Sequence, residues 1–391
     1  MTASLYIHIP FCVGSCDYCD FYSIPVERGD IRMDRFIDIL IEDIRRQIGA
    51  FIITRIPTVY IGGGTPSFLG APRLGRLLAA LASLLPNPPE EFTLEVNPES
   101  AEEALLELCR TRGVSRLSVG VQSFHGPSRR AVGRAGEGAL IPEKLRMIGA
   151  IFGEDFSVDL ISGLPFQDEG VLLRDIERAL DYHPGHVSLY ALTLEPGTPL
   201  EQAVRGGRVS LPSGDAADAL WLAGRDTLER GGYAQYEVSN FSLPGKASLH
   251  NIRYWVMENW LGAGPAASGT LIDDPAGTGL RHTLPADVDS YLGESGPSPP
   301  PLRKEYLDPL TLMKETLLMG FRYVEGPDEG LFRKRFRRDL TETIPGTLRR
   351  WRERGLVRRD KTALTREGLL FLDPFLVECF REMEERVKGE S

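Results

Sequence analysis

The run Tyr6-Ile-His-Ile-Pro-Phe-Cys-Val-Gly-Ser-Cys-Asp-Tyr-Cys-Asp-Phe21 decides the fold of this chain. Leu5–Ile9 is short, rich in β-branched residues and closed by Pro10, which predicts a strand. Three cysteines follow it, Cys12, Cys16 and Cys19, spaced C-x-x-x-C-x-x-C; of the chain's five cysteines only Cys109 and Cys379 lie elsewhere. A cluster of thiols this tight calls for chemistry. A [4Fe–4S] cluster takes thiolate ligands. Three thiolates hold three irons and leave the fourth open to a small molecule, and an open position is what lets a metal centre react. Two plainer readings stay open: a zinc site short of its fourth ligand, or a disulfide with a spare thiol. His8 could complete a zinc set, but its place inside a strand predicts a packed or polar-lined core residue.

Outward from this stretch, short strands alternate with amphipathic helices. Strands are predicted at Leu5–Ile9, Thr58–Ile61, Phe92–Val96, Arg116–Val121, Phe156–Ile161 and His186–Leu192, each ending in Gly, Pro or a polar cluster. The first helix places Phe36, Ile37, Leu40, Ile41, Ile44 and Ile48 on one stripe. Others are predicted near 71–85, 100–112, 141–152, 168–182 and 214–231. Serial β-then-α units imply a parallel sheet with right-handed crossovers, so the fold class is α/β, an open, partial (β/α)6 barrel. Functional sites in such barrels gather at the C-terminal ends of the strands, and the motifs between residues 12 and 165 all begin there.

The cysteine spacing resembles that of the radical S-adenosylmethionine (SAM) superfamily, whose usual core is this partial barrel. The flanking residues, YIHIPFC…C.YCDF, resemble the oxygen-independent coproporphyrinogen III oxidase group, and within it the HemW-type heme chaperones. The same group is matched by Gly62-Gly-Gly-Thr-Pro-Ser67, Glu95-Val-Asn-Pro98, Gly120-Val-Gln-Ser-Phe124, Asp159-Leu-Ile-Ser-Gly-Leu-Pro165 and His250-Asn-Ile-Arg-Tyr-Trp255. These segments keep one order over nearly the whole chain.

The resemblance implies roles residue by residue. Cys12, Cys16 and Cys19 ligate a [4Fe–4S] cluster whose open iron takes the amino and carboxylate groups of SAM. Gly63, Gly64 and Thr65 hold the methionine part of SAM, and glycines suit a close backbone approach. Glu95 partners the SAM amino group or ribose, since a carboxylate ending an apolar strand needs a partner. Tyr6, Gln122, Arg134 and Asp159 map onto further SAM contacts, Arg134 offering its fork to a carboxylate. His250 is the implied heme ligand, beside the flat rings of Tyr254, Trp255 and Trp260. Each of these residues taken alone reads equally as packing, capping or an ion pair.

The implied function is binding of heme and its delivery to apo-hemoproteins, respiratory membrane-bound ones among them, with heme as third cofactor. The alternative is oxidative decarboxylation of coproporphyrinogen III to protoporphyrinogen IX, and a radical reaction on another tetrapyrrole is a third. The dehydrogenases of the group carry a fourth cysteine, C-x-x-x-C-x-x-C-x-C, where this chain has Phe21. They also carry a long N-terminal extension, for which a strand at Leu5 leaves no room.

Length, composition and charge agree with a two-domain soluble enzyme-like chain of 391 residues, 42% hydrophobic and 26% charged. No secretory leader and no membrane span are visible, and clustered thiols suit a reducing cytoplasm, peripheral to the inner membrane during delivery. Residues 1–300 carry 25 basic and 38 acidic side chains, a net of −13, whereas residues 301–391 carry 20 and 17, a net of +3. Domains are expected at 1–235, 236–301 (a connecting segment ending in a Pro/Gly-rich linker over 284–301) and 302–391. The last is small, mostly helical and winged-helix-like, because Gly355-Leu-Val followed by Thr362-Ala-Leu-Thr365 reads as a helix entering a β-wing. Its basic runs, 333–338 and 349–354, read as solvated helix faces, so nucleic acid is not expected. Monomer and dimer both remain open.

Overall fold

Six β-then-α units are laid down in chain order in the computed structural model, which describes residues 1–134, 136, 138–293 and 298–390. The strands are β1 (Ser4–Ile9), β2 (Thr58–Gly63), β3 (Glu91–Val96), β4 (Arg116–Gln122), β5 (Phe156–Ser162) and β6 (His186–Ala191). Each pairs in parallel with the next. The intervening helices are α1 (Arg32–Ala50), α2 (Gly70–Leu84), α3 (Glu103–Thr111), α4 (Ile141–Phe152) and α5 (Glu169–Leu180), with α6 (Gly214–Arg230) after β6. Asp168 and Ser213 cap α5 and α6 by accepting from backbone N–H groups of the first turn.

Period-two alternation divides each strand between two faces. Ile7, Val59, Leu94, Leu117, Val158 and Leu189 are buried in one core with Phe36, Leu40, Leu77, Leu105, Ile148 and Ile176 from the helices. The alternate positions are polar: Tyr6 and His8, Thr58 and Tyr60, Thr93 and Glu95, Ser118, Ser157 and Asp159, His186 and Ser188. The face turned away from the helices is therefore the site face.

The sheet does not stop at six strands. β7 (Ala234–Gln235) and β8 (Asn240–Ser242) continue it antiparallel beyond β6. On the other edge, after the short helix α7 (Leu249–Trp255), β9 (Trp260–Ala263) pairs in parallel with β1. β10 (Ser268–Asp273), β11 (Thr278–Thr283) and β12 (Arg303–Leu307) then follow as an antiparallel meander. The segment expected to be a connector thus supplies four strands, β8 to β11, of the twelve-stranded sheet among the described residues. Its glycines hid this. A side chain at Gly269 would meet the His282 ring 2.3 Å away, so the small residue is demanded by close strand packing. Of the expected linker, residues 294–297 lie outside the described residues.

The C-terminal module packs α8 (Pro309–Gly320), α9 (Glu329–Phe336), α10 (Pro345–Glu353) and α11 (Leu372–Glu390) around a core of its own. Phe375 stands edge-on to Phe321 at 4.6 Å and to Trp351 at 4.9 Å. After α10, Gly355 turns the chain at φ +73° and Val357 bridges antiparallel to Leu364, a minimal wing. The basic runs are engaged in ion pairs: Arg333 with Asp339, Lys334 and Arg335 with Asp274, Arg350 with Glu378. Among the described residues no helix is long and apolar enough to cross a membrane.

Candidate functional site

Pro10 ends β1 and throws the chain into the cysteine loop at the C-terminal end of the strand. The loop is held at both ends: Phe11 and Cys12 pair with Ile24 and Pro25, and Asp17 donates its N–H to Val132 O and accepts from Leu200 N. Cys12, Cys16 and Cys19 are free thiols and half-buried. Burial raises the Cys12 thiol and pushes Cys19 up to about 11, so a thiolate there needs a cation such as iron beside it.

The glycine turn after β2 packs directly against this loop. Gly64 donates to Ile9 O, and a Cβ on it would lie 2.7 Å from Phe11 O and 3.0 Å from Cys12 Sγ. Gly63 adopts φ +112°, with the His8 ring 2.7 Å from where its Cβ would be. Thr65 Oγ1 lies 3.4 Å from Cys12 Sγ and accepts from Asn97 Nδ2 at 3.0 Å. Arg134 closes the ring: Nη1 reaches Cys16 Sγ at 3.6 Å, and Nη2 donates to Asn97 Oδ1 at 2.8 Å and to Gly120 O. Its buried Nε has no partner among the described residues.

Glu95 sits below the glycine turn, half-buried. It accepts from Tyr60 Oη at 2.8 Å and from Gly63 N at 3.1 Å, and burial outweighs those bonds to push it up to about 7. Tyr6 donates to His8 Nδ1 at 3.0 Å, because His8 Nε2, 2.8 Å from the Tyr22 carbonyl, must carry the ring proton. Gln122 stands at φ +67°, where the β4–β5 register shifts, a strained backbone of the kind that clusters at ligand sites. Asp159, raised by burial, is caged by the hydroxyls of Ser188 at 2.7 Å, Ser118 at 2.7 Å and Ser157 at 2.9 Å.

The structure thus brings Cys12, Cys16, Gly63, Gly64, Thr65, Glu95 and Arg134 together, with Tyr6, Gln122 and Asp159 along the same face. His250 is not among them. It lies on α7 at the N-terminal ends of the strands, 1% exposed, about 17 Å from the other end by the rise of a six-residue strand. Thr58 Oγ1 donates to Ser4 Oγ, so His250 Nδ1–H donates to Thr58 (2.9 Å) and Nε2 accepts from Tyr254 Oη (3.0 Å). Burial holds the ring neutral, lowering it to about 3. In this arrangement both nitrogens of His250 are hydrogen-bonded and the ring is buried, so it is tied into the fold rather than presented to a ligand. Tyr254 and Trp260 are likewise packed edge-on against each other at 5.1 Å. Glu91 fixes the motif by accepting from the N–H groups of Leu249 and His250 at the start of α7.

Asn97, Tyr60 and the three serines were not singled out by sequence. Asn97 lies inside the quoted Glu95–Pro98 motif, and Tyr60 and the serines share the alternation of Tyr6, Glu95 and Asp159, so period two was the available signal.

A thiol triplet at the strand ends of an open parallel barrel, backed by a glycine turn, is the constellation of a radical SAM protein. The chain matches the Radical SAM superfamily model over residues 6–179 and the HemN C-terminal domain model over residues 307–371. It is 35% identical to "Heme chaperone HemW" of Lactococcus lactis subsp. lactis (strain IL1403) over 335 residues, 85% of each chain. It is 30% identical to that of Bacillus subtilis (strain 168) over 372 residues, 94% of this chain and 96% of the other. A Bos taurus "Radical S-adenosyl methionine domain-containing protein 1, mitochondrial" is 33% identical over 400 residues, 98% and 88% of the two chains. The chain belongs to the HemW family of radical SAM proteins. In fold it resembles a solved Escherichia coli structure, "Coproporphyrinogen III oxidase (HemN) from Escherichia coli is a Radical SAM enzyme", with a TM-score of 0.80 and 23% identity over 97% and 90% of the chains.

Family membership implies a [4Fe–4S] cluster and SAM, and the residues present fit them. Among the described residues no three His, Cys, Asp or Glu side chains converge on a single metal ion. His8, with both nitrogens bonded, is not placed to complete a zinc set.

Proposed function

We propose that this chain binds heme and hands it to apo-hemoproteins, respiratory ones among them, with a SAM-bound [4Fe–4S] cluster governing the transfer. The observation that carries this is Phe21. It occupies the fourth-cysteine position of the coproporphyrinogen dehydrogenases and stands 67% exposed, in a chain whose relatives named as heme chaperones match most of its length.

Cys12, Cys16 and Cys19 would hold three irons, and the cluster with SAM would supply one-electron cleavage of the sulfonium when both are bound. The chain's own part is placement. Gly63, Gly64 and Thr65 leave room for the methionine end of SAM against the cysteine loop. Glu95 takes its amino group or ribose; Arg134 offers the carboxylate its guanidinium; Tyr6, Gln122 and Asp159 complete the wall. Polar groups enclosed in this way are worth more than the same groups in water, because they need no reorganisation when the ligand arrives.

The test offers coproporphyrinogen III and heme separately to anaerobically reconstituted, reduced protein with SAM. Stoichiometric heme uptake seen in the Soret band, with no mass loss from the porphyrinogen, supports the proposal. Loss of two carboxyl groups from the porphyrinogen would make the chain a dehydrogenase despite Phe21.

A further inference from the structure

A file of aromatic rings runs from the cysteine loop to the far end of the strands. Tyr22 lies 6.4 Å from His8, His8 6.0 Å from Tyr6, and Tyr6 6.1 Å from Tyr60. Tyr60 is 5.2 Å from His250, His250 4.8 Å from Tyr254, and Tyr254 5.1 Å from Trp260, all between ring centroids. Every step is within the range of aromatic contact. Packing alone accounts for contact, but not for the second regularity.

Every tyrosine interior to this file faces a proton acceptor. Tyr6 faces His8 Nδ1, Tyr60 faces Glu95 Oε1 and Tyr254 faces His250 Nε2. In both histidines the opposite nitrogen is committed as donor, to Tyr22 O and to Thr58 Oγ1, so the nitrogen facing the phenol is the bare one. Tyr6 and Tyr60 are half-buried phenols held above the ordinary tyrosine range by loss of solvent; they lose an electron readily only if the proton leaves with it, and each faces an acceptor. Trp260, half-buried and donating Nε1–H to Ser268 O at 3.1 Å, ends the file.

We infer that Tyr6, Tyr60, Tyr254 and Trp260 form a proton-coupled hole-transfer chain that drains oxidising radicals from the SAM site to the outer end of the sheet. A radical R• at the cysteine loop takes an electron and a proton and becomes RH, and Tyr6 is left as a neutral phenoxyl. Tyr60 then gives Tyr6 an electron while its own phenolic proton shifts to Glu95. The Tyr6 proton, given up to R•, is replaced from solvent water, the counterpart of the proton the thiol reductant releases at the end of the file. Tyr254 reduces Tyr60 in the same way, its proton passing to His250 Nε2. Trp260 reduces Tyr254, becomes an indole radical cation, and is returned to indole by a thiol reductant in solution. Tyr236 has the same Tyr–His bond, to His186 Nε2 at 2.8 Å, but among the described residues its ring meets that of His186 alone, so it serves as the off-file control.

The test uses full-length, reconstituted and reduced protein treated with limiting hydrogen peroxide, freeze-quenched for radical spectra and mapped by peptide mass for oxidised side chains. A tryptophanyl signal and oxidised Trp260 are expected in the wild type. Tyr254→Phe keeps the ring but removes the transferable proton; oxidation of Trp260 should drop to the level of cluster-free protein while tyrosyl signal accumulates. Trp260→Phe should trap the hole as tyrosyl radical, and Tyr236→Phe should leave the pattern unchanged. Undiminished Trp260 oxidation in Tyr254→Phe, or equal oxidation in cluster-free wild type, would overturn the chain. Should Tyr254→Phe fold poorly, Trp260→Phe decides: absence of any tyrosyl signal there refutes the proposal.

Discussion

Replacement of His250 by alanine separates a ligand from a fold residue. Without the imidazole the half-buried Tyr254 phenol loses its acceptor, which costs about 1–3 kcal/mol. Two ring contacts also disappear, to Tyr60 and Tyr254, each worth about 0.5–1.5 kcal/mol, and the cavity adds to the loss. A destabilisation of about 3–5 kcal/mol is expected, a large share of the roughly 5–15 kcal/mol that holds a typical domain. The measurement is the urea midpoint, with heme titrated into the folded fraction only. Because His250 is lowered to about 3 when folded, the wild type binds fewer protons folded than unfolded below its ordinary value near 6.5. Wild-type stability therefore falls as pH drops from 6.5 toward 3, and the gap to the variant should narrow over that window. The folded variant should keep its cluster and its heme affinity. A variant with the wild-type urea midpoint and a lost Soret band would refute this and restore His250 as ligand.

Three further outcomes are expected. SAM should bind more tightly as pH rises through about 7, because burial keeps Glu95 protonated below that value and only its carboxylate pairs with an ammonium; Glu95→Gln should flatten the profile in calorimetric titrations. Gly64→Ala forces a methyl to 2.7 Å from Phe11 O and 3.0 Å from Cys12 Sγ, so iron and sulfide content after reconstitution should drop while the far-ultraviolet spectrum stays native. Arg134→Lys cannot bridge Cys16, Asn97 and Gly120 at once, and SAM affinity should weaken at least tenfold, about 1.4 kcal/mol, as read by equilibrium dialysis; unchanged affinity would remove Arg134 from the SAM wall.

The six core strands and their helices were legible because β-branched runs and a single wide stripe on α1 leave little choice of period. The cysteine spacing placed the site at the strand ends for the same reason: Pro10 stops the strand where the thiols begin. What sequence concealed was the polar half of each strand. Thr58, Tyr60, Ser118, Ser157 and Ser188 alternate with core residues, yet a lone serine or tyrosine carries no mark of the face it serves until the sheet curves. The strands between 260 and 283 were hidden by glycines that close packing requires. His250 is a different case. Its motif was distinctive, but distinctiveness came from the bonds that tie α7 to the strand bases, and those bonds leave no nitrogen over.

The pairing of β1 with β9 sets an order on assembly. Ser4 and Trp260 are register partners, so the strand that delivers the cysteines acquires its second neighbour only after 256 further residues (from 4 to 260) have been synthesised. At about 5–20 residues per second of synthesis, the thiols emerge some 10–50 s before the sheet around their strand is complete. A cluster inserted in that interval would sit on a strand still open on one edge. Until Trp260 has been synthesised, the strand that leads into the thiols has one edge unpaired.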